Sequence, residues 1–216
     1  MRTSTKITKP SRTKPARTKP PRTKPLRGRP RSFIPSEVLD RVRSVFMAKG
    51  FAAASLDELA AAAGLNRPSL YAAFGDKEQL YIAALRFYGA RSVDALDGIL
   101  KGPGTIEQRL DKVYNLAIDL YTAPPHRPGC MIVGTAAVES PMHPQIATVA
   151  RELLAEIEGS LERAFAASDL SKSPAPGARA RMAGAILYAI AIRARLGAKA
   201  AELRSFAASM VPTICA

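Results

Sequence analysis

The sequence predicts an all-α body behind a basic leader. Three observations carry that reading. Apolar residues recur at helical spacing from Ser36 onward, and no run alternates convincingly with the two-residue period of a strand. Pairs such as Ser55/Glu58 and Thr105/Gln108 stand where helices should open. The charge is also split: of a formal +14 over 216 residues, residues 1–31 carry +12, with five Lys, seven Arg and no acid. What remains is a nearly neutral chain that is long enough to bury a core. With 47% hydrophobic residues and no matching repeats, collagenous, coiled-coil and fully disordered chains are excluded.

The leader is a five-residue repeat, Arg-Thr-Lys-Pro following Ser11, Ala16 and Pro21, closed by Leu26-Arg-Gly-Arg-Pro30. Almost nothing in it is apolar, so residues 1–31 are expected to be disordered, with proline and like-charge repulsion favouring extended states. An extended cation suits a polyanion, since each neutralised phosphate releases counterions. Arg27-Gly28-Arg29-Pro30-Arg31 resembles the core of an AT-hook, whose arginines lie along a narrow A·T-rich minor groove. A solubilising leader is the plainer use, and contact with anionic membrane carries less weight. Proline every five residues forbids the amphipathic helix of an organellar transit peptide. No apolar segment of a secretory signal follows the basic start. The longest apolar stretch, Met182–Ile192, has eleven residues, short of the ~20 that span a membrane. Cys130 and Cys215 can form at most one bridge, which suits an intracellular chain.

From Ser36 the apolar stripe Val38, Leu39, Val42, Val45, Phe46 marks a first helix, with Ser36 as its cap and Gly50 ending it in the left-handed conformation. Ser55-Leu-Asp-Glu58 opens a second helix, which Gly64 ends after about two turns. Asn66 caps a third helix through Phe74, with Pro68 near its start, where no amide donor is needed. Two short helices around a glycine turn form a helix-turn-helix, whose second helix enters the major groove. Leu70 and Phe74 face inward toward Leu56 and Leu59. Pro68, Ser69 and Ala72 face out, with Arg67 and Tyr71 at one margin. Arg67 has the donors to read guanine, and Ser69 or Tyr71 can take a phosphate or a base edge.

Ser55–Phe74 and the following Gly75-Asp-Lys-Glu-Gln-Leu80 resemble the TetR/AcrR family of bacterial repressors. That family's motif runs from a Thr or Ser through an Ala-Gly turn to Leu-Tyr-x-x-Phe-x-x-Lys-x-x-Leu, and the likeness covers residues 36–85. It implies phosphate contact by Ser55, Tyr71 and Lys77, and groove reading by Arg67, Pro68 and Ser69, with Asn66 at the head of that helix. Arg27, Arg29 and Arg31 resemble the short basic arm found before such domains. The repeats ahead of them depart from the family's pattern.

The remaining segments also read as helix. Lys77–Leu100 carries Leu80, Ala84, Phe87, Tyr88, Leu96 and Leu100, and Gly102-Pro-Gly104 is a plain turn. Thr105–Tyr121 has Ile106, Leu110, Val113, Ala117 and Leu120 inward. Gly129–Glu139 is short and apolar, and Ile146–Phe165 places Val149, Leu153, Ile157 and Leu161 inward. Ala178–Leu196 and a terminal helix near Ala200–Met210 complete the chain. Met182–Ile192 is apolar on every face, so it must be covered all round, by its own subunit or by a second copy. The family resemblance implies the second, a homodimer paired through its last two long helices.

Three parts follow: the tail (1–31), a helix-turn-helix domain (32–80) and a helical ligand-binding and dimerisation domain (81–216). Gly129–Glu139 resembles a segment that borders the ligand cavity in one branch of these regulators, which points to Met131, Thr135 and Val138, with Tyr114, around a ligand. Among His126, Cys130 and His143, the His126–Cys130 spacing suits a metal on one helical face only if the Pro-rich lead-in were helical, and packing explains Cys130 more simply than a metal or a redox switch. No nucleophile elbow, zinc-protease helix, dinucleotide fingerprint or Walker sequence is present, so no enzyme, metal or cofactor is expected. The expectation is a cytoplasmic, nucleoid-associated bacterial regulator, acting as a repressor on a palindromic operator and released by a small-molecule inducer. The rival is a nucleoid-type architectural protein dominated by its tail. A small-molecule enzyme on a helical scaffold is the third class.

Overall fold

The computed structural model describes residues 33–124, 128–170 and 173–216. The tail, including Arg27, Arg29 and Arg31, and His126 lie outside them. Every element among the described residues is helical, in the order α1 (Pro35–Ala53), α2 (Leu56–Ala63), α3 (Arg67–Phe74), α4 (Lys77–Leu100), α5 (Ile106–Tyr121), a π-helical turn (Ile132–Ala136), α6 (Ala137–Glu139), α7 (Pro144–Ala166), α8 (Pro176–Arg195) and α9 (Ala200–Cys215). The all-α expectation holds.

Local chemistry sets most boundaries. The Ser55 hydroxyl accepts from the Glu58 amide while Glu58 reaches back to Ser55, and Thr105 with Gln108 repeats the device at α5. Gly64 closes α2 at φ 66°, a left-handed conformation that glycine adopts without strain. Asn66 caps α3 by accepting from the Ser69 amide at 2.9 Å. Ser36 does not cap α1. The helix starts one residue earlier, on Pro35, with Ile34 as an uncapped boundary residue, because proline at the first helical position needs no partner for an amide. Gly50 breaks the regular helix at a positive φ, as expected, but the chain returns to helix after it. It takes φ 81° and ψ 175°, kinks the chain, and a last turn resumes through Ala53. Phe51, buried edge-on to Tyr81 at 5.3 Å, holds that turn in place.

α1 packs on α2 and α4, and α4 runs unbroken from beside α3 to pack on α5 and α7. Gly89 permits the α4–α7 approach: a β-carbon there would overlap the Leu153 δ-carbons. α8 packs against α7, α5 and α9, and the π turn touches α1, α4, α7 and α8. Phe46 and Tyr81, edge-on at 4.9 Å, join the N-terminal helices to α4.

Two apolar faces differ from expectation. Leu120 stands 58% exposed, with Leu116 beside it, because the buried arc of α5 runs through Leu110, Tyr114, Ala117 and Ile118. On α8, Ala183, Leu187 and Ile190 are buried while Met182 and Ile192 are exposed in the single chain. α9 runs five residues past Met210, through Pro212. Its last turn is held by burial of Val211 and Ile214 and by the buried Arg179 guanidinium, which donates to the carbonyls of Ile214 and Ala216.

Candidate nucleic-acid interface and ligand cavity

The helix-turn-helix positions α3 with Leu70 buried beneath it and Phe74 half-buried against Phe33 at 6.1 Å. Its outer face carries Arg67, Pro68, Ser69, Tyr71 and Ala72, all exposed. These side chains are small apart from Arg67 and Tyr71, so the α3 backbone can come close to base edges. Ser55 lies at the head of α2, and its hydroxyl donates to Glu58 at 3.0 Å. The Lys49 ammonium and the Ser55 groups on Glu58 hold its carboxyl down at about 2.

Besides Ser55 and Asn66, two more of the expected DNA contacts are engaged within the chain. Arg67 forms a two-point ion pair with Asp57 of α2, its Nε 2.5 Å from Oδ1. Lys77, the first residue of α4, donates to the Ala52 carbonyl at 3.1 Å and sits 4.8 Å over the Phe51 ring. Desolvation there draws the Lys77 ammonium below its usual range. The sequence alone does not anticipate the Arg67–Asp57 pair, which joins oppositely charged residues in the first turns of α2 and α3.

A cavity of about 160 Å³ opens between α1, α4, α5, α7 and α8, its wall completed by Pro128 and Gly129. Its body is apolar, with Leu96, Val113, Ile157 and Leu187, and α1 contributes Arg43 and Met47. Tyr88 and Tyr121 also line it. Burial, and then the Cys130 thiol beside them, pushes both phenols well above their ordinary range, so both keep their protons. Arg195 of α8 braces two of the cavity's wall residues, donating to the Met47 carbonyl at 2.9 Å and the Pro128 carbonyl at 3.1 Å. One guanidinium thus ties α8, α1 and the cavity wall together.

None of Tyr114, Met131, Thr135 and Val138 lines this cavity. Met131 is fully buried in packing, and the Thr135 hydroxyl is taken by Tyr81 at 2.6 Å and by the Met131 carbonyl at 2.9 Å. Val138 lies 70% exposed on the surface, while Tyr114 donates to the Ala183 carbonyl at 3.2 Å and borders a separate cleft of about 310 Å³ with Asp111, Asn115 and Arg204. The neighbouring Gly129 does border the cavity. His143 pairs with Glu78 at 3.1 Å, and among the described residues no three metal-ligating side chains come together.

Residues 38–84 match the family described as "Bacterial regulatory proteins, tetR family". Over those residues the chain carries the DNA-binding region of that family. Among curated proteins, the HTH-type transcriptional repressor BdcR of Escherichia coli K12 is 33% identical over 103 residues, 48% of this chain and 52% of its own. The uncharacterized HTH-type transcriptional regulator YezE of Bacillus subtilis 168 is 28% identical over 117 residues, 54% of this chain and 60% of its own. The chain therefore matches between half and three fifths of the length of these relatives. Solved structures share the fold. The TetR family regulator CifR, a cysteine mutant complexed with a 26 bp double-strand operator DNA, superposes with a TM-score of 0.72 at 23% identity, over 85% of this chain and 98% of that one. Reduced NemR of E. coli gives 0.72 at 21% identity, over 83% and 96%. No described helix is long and apolar enough to cross a membrane.

Proposed function

We propose that this chain is a ligand-responsive transcriptional regulator that acts as a homodimeric repressor. The observation that carries the proposal is the outer face of α3, where Arg67, Ser69 and Tyr71 are exposed around a close-approach surface of Pro68 and Ala72. Ser55 and Lys77 flank it and take phosphates, and Asn66 holds the helix start in place. The exposed Met182 and Ile192 of α8 pack against a second copy. A two-fold dimer then sets two recognition helices about 34 Å apart, which calls for a near-palindromic operator. The basic repeat, with Arg27, Arg29 and Arg31, adds salt-dependent affinity and speeds the search for the operator.

In this reading residues 32–80 read DNA, residues 81–216 sense and dimerise, and the chain works by binding, without turnover, in the bacterial cytoplasm. The inducer occupies the cavity under α1. Since α1 supplies part of the cavity and packs on α2, an occupant that favours another α1 position lowers operator affinity by that difference. Gel shifts on the DNA beside its own gene test the reading. A salt-resistant preference over scrambled DNA is expected, and its absence refutes the proposal. Deleting residues 1–26 separates it from an architectural role: a regulator keeps its sequence preference, whereas an architectural protein loses nearly all binding.

A further inference from the structure

The cavity under α1 has an unbalanced cation at its wall. Arg43 gives Nε and Nη2 to Asp40 Oδ1, at 3.2 and 3.0 Å. Arg91 approaches the same oxygen at 3.7 Å. One carboxylate thus serves two guanidiniums, which leaves a positive charge in excess. The other edge of Arg43 is weakly served: Nη1 points at the Met47 sulfur at 3.1 Å, and a thioether is a poor acceptor. Arg43 and Met47 both line the cavity, and among the described residues no carboxylate does. Among the described residues the other polar groups on its wall are Ser92, whose hydroxyl donates to the Tyr88 carbonyl at 2.9 Å, and the protonated phenols of Tyr88 and Tyr121, none of which carries a charge that would repel an anion. The volume, about 160 Å³, is close to that of an apolar cavity known to hold a benzene ring.

We infer that the effector is a hydrophobic monocarboxylate, with a ring-sized or short-chain body among Leu96, Val113, Ile157 and Leu187 and its carboxylate on Arg43. This rests on the reading of the cavity as the effector site, and it names the ligand class. A carboxylate replaces the sulfur at Nη1 with a charged acceptor, a bond about twice as strong as a neutral one. It also competes with Asp40 for the guanidinium, while Asp40 keeps Arg91. The charge of the ligand is thereby felt on α1, the helix that carries the helix-turn-helix.

The test is isothermal titration of the full chain with four probes: benzoate, hexanoate, the neutral benzamide and the cationic benzylamine. At least one carboxylate binds about tenfold or more tightly than benzamide, and benzylamine gives no heat. Benzoate against hexanoate separates an aromatic from an acyl ligand. Arg43→Met, which keeps the packing volume, removes the preference for carboxylate and leaves benzamide unchanged; Arg43→Lys restores part of it. Circular dichroism shows that both variants fold. Benzamide binding as tightly as both carboxylates overturns the ligand class and leaves the cavity reading standing, as does a preference that survives Arg43→Met. Silence from all four probes overturns both. Sequence-selective DNA binding, measured on the same preparation, tests the regulator reading separately.

Discussion

Arg67 has two competing anionic partners, and their strengths predict what its removal does. Within the chain it pairs with Asp57, but the two side chains are 50% and 75% exposed. A pair that open to water contributes no more than about 1 kcal/mol. A two-point contact with guanine contributes about 1–3 kcal/mol. The exchange therefore runs toward DNA, and Asp57 serves as a holding partner. Arg67→Ala should weaken binding to a selected duplex by about five- to 150-fold, and to a scrambled duplex far less. Asp57→Asn should act in the opposite sense, raising affinity by up to about fivefold, because it removes the competitor and one charge that repels phosphate. Fluorescence anisotropy at fixed ionic strength measures all four combinations. Equal weakening on both duplexes would make Arg67 a phosphate contact. Weaker binding by Asp57→Asn would mean that the carboxylate positions the guanidinium on DNA, and either result refutes the reasoning.

Three further outcomes follow from the packing and charge. Leu70→Ala removes the buried anchor of α3 and should destabilise the chain by about 2–4 kcal/mol in urea unfolding, with loss of DNA binding near the transition. The folded carboxyl of Glu58 sits at about 2, below its ordinary 4.5, so its stabilisation is complete above pH 4.5 and lost as pH falls toward 2. Melting curves of Glu58→Gln should therefore lie below those of the parent chain at pH 7 and converge with them in that acid window; a constant gap would contradict the assignment. Ile192→Lys places a charge in the exposed apolar stripe of α8 and should shift micromolar samples from dimer to monomer in sedimentation velocity, with the helical content unchanged.

The N-terminal helices were the most legible in sequence, since their boundaries depend on local chemistry. Ser55 with Glu58, Gly64 and Asn66 each act within one turn, and the structure places all of them as the spacing requires. Pro35 and Gly50 show the limit: there a starting proline and a buried Phe51 outweighed the residues expected to cap and stop the helix. The outer face of α3 was legible for a similar reason, because Leu70 and Phe74 fix its rotation. The cavity was not. Its wall takes Arg43 from α1, Tyr88 from α4, Tyr121 from α5 and Leu187 from α8, residues brought together only by tertiary packing. Arg43 stands off the apolar stripe of α1, a position that carries no local sequence signal for a cavity. Thr135 looked like a ligand contact, and its hydroxyl is spent on Tyr81 and the Met131 carbonyl. The one available signal for the cavity was an excess of leucine on α5, where Leu116 and Leu120 extend the apolar face past its buried arc.

Selection of duplexes from a random library by the full chain tests the central claim most directly. The account predicts enrichment of a near-palindrome with half-sites about one helical turn apart, or a multiple of that, and loss of the enrichment in Arg67→Ala. Enrichment of A·T-rich duplexes without a symmetric motif, unchanged by Arg67→Ala, would contradict it and leave the basic repeat as the source of binding.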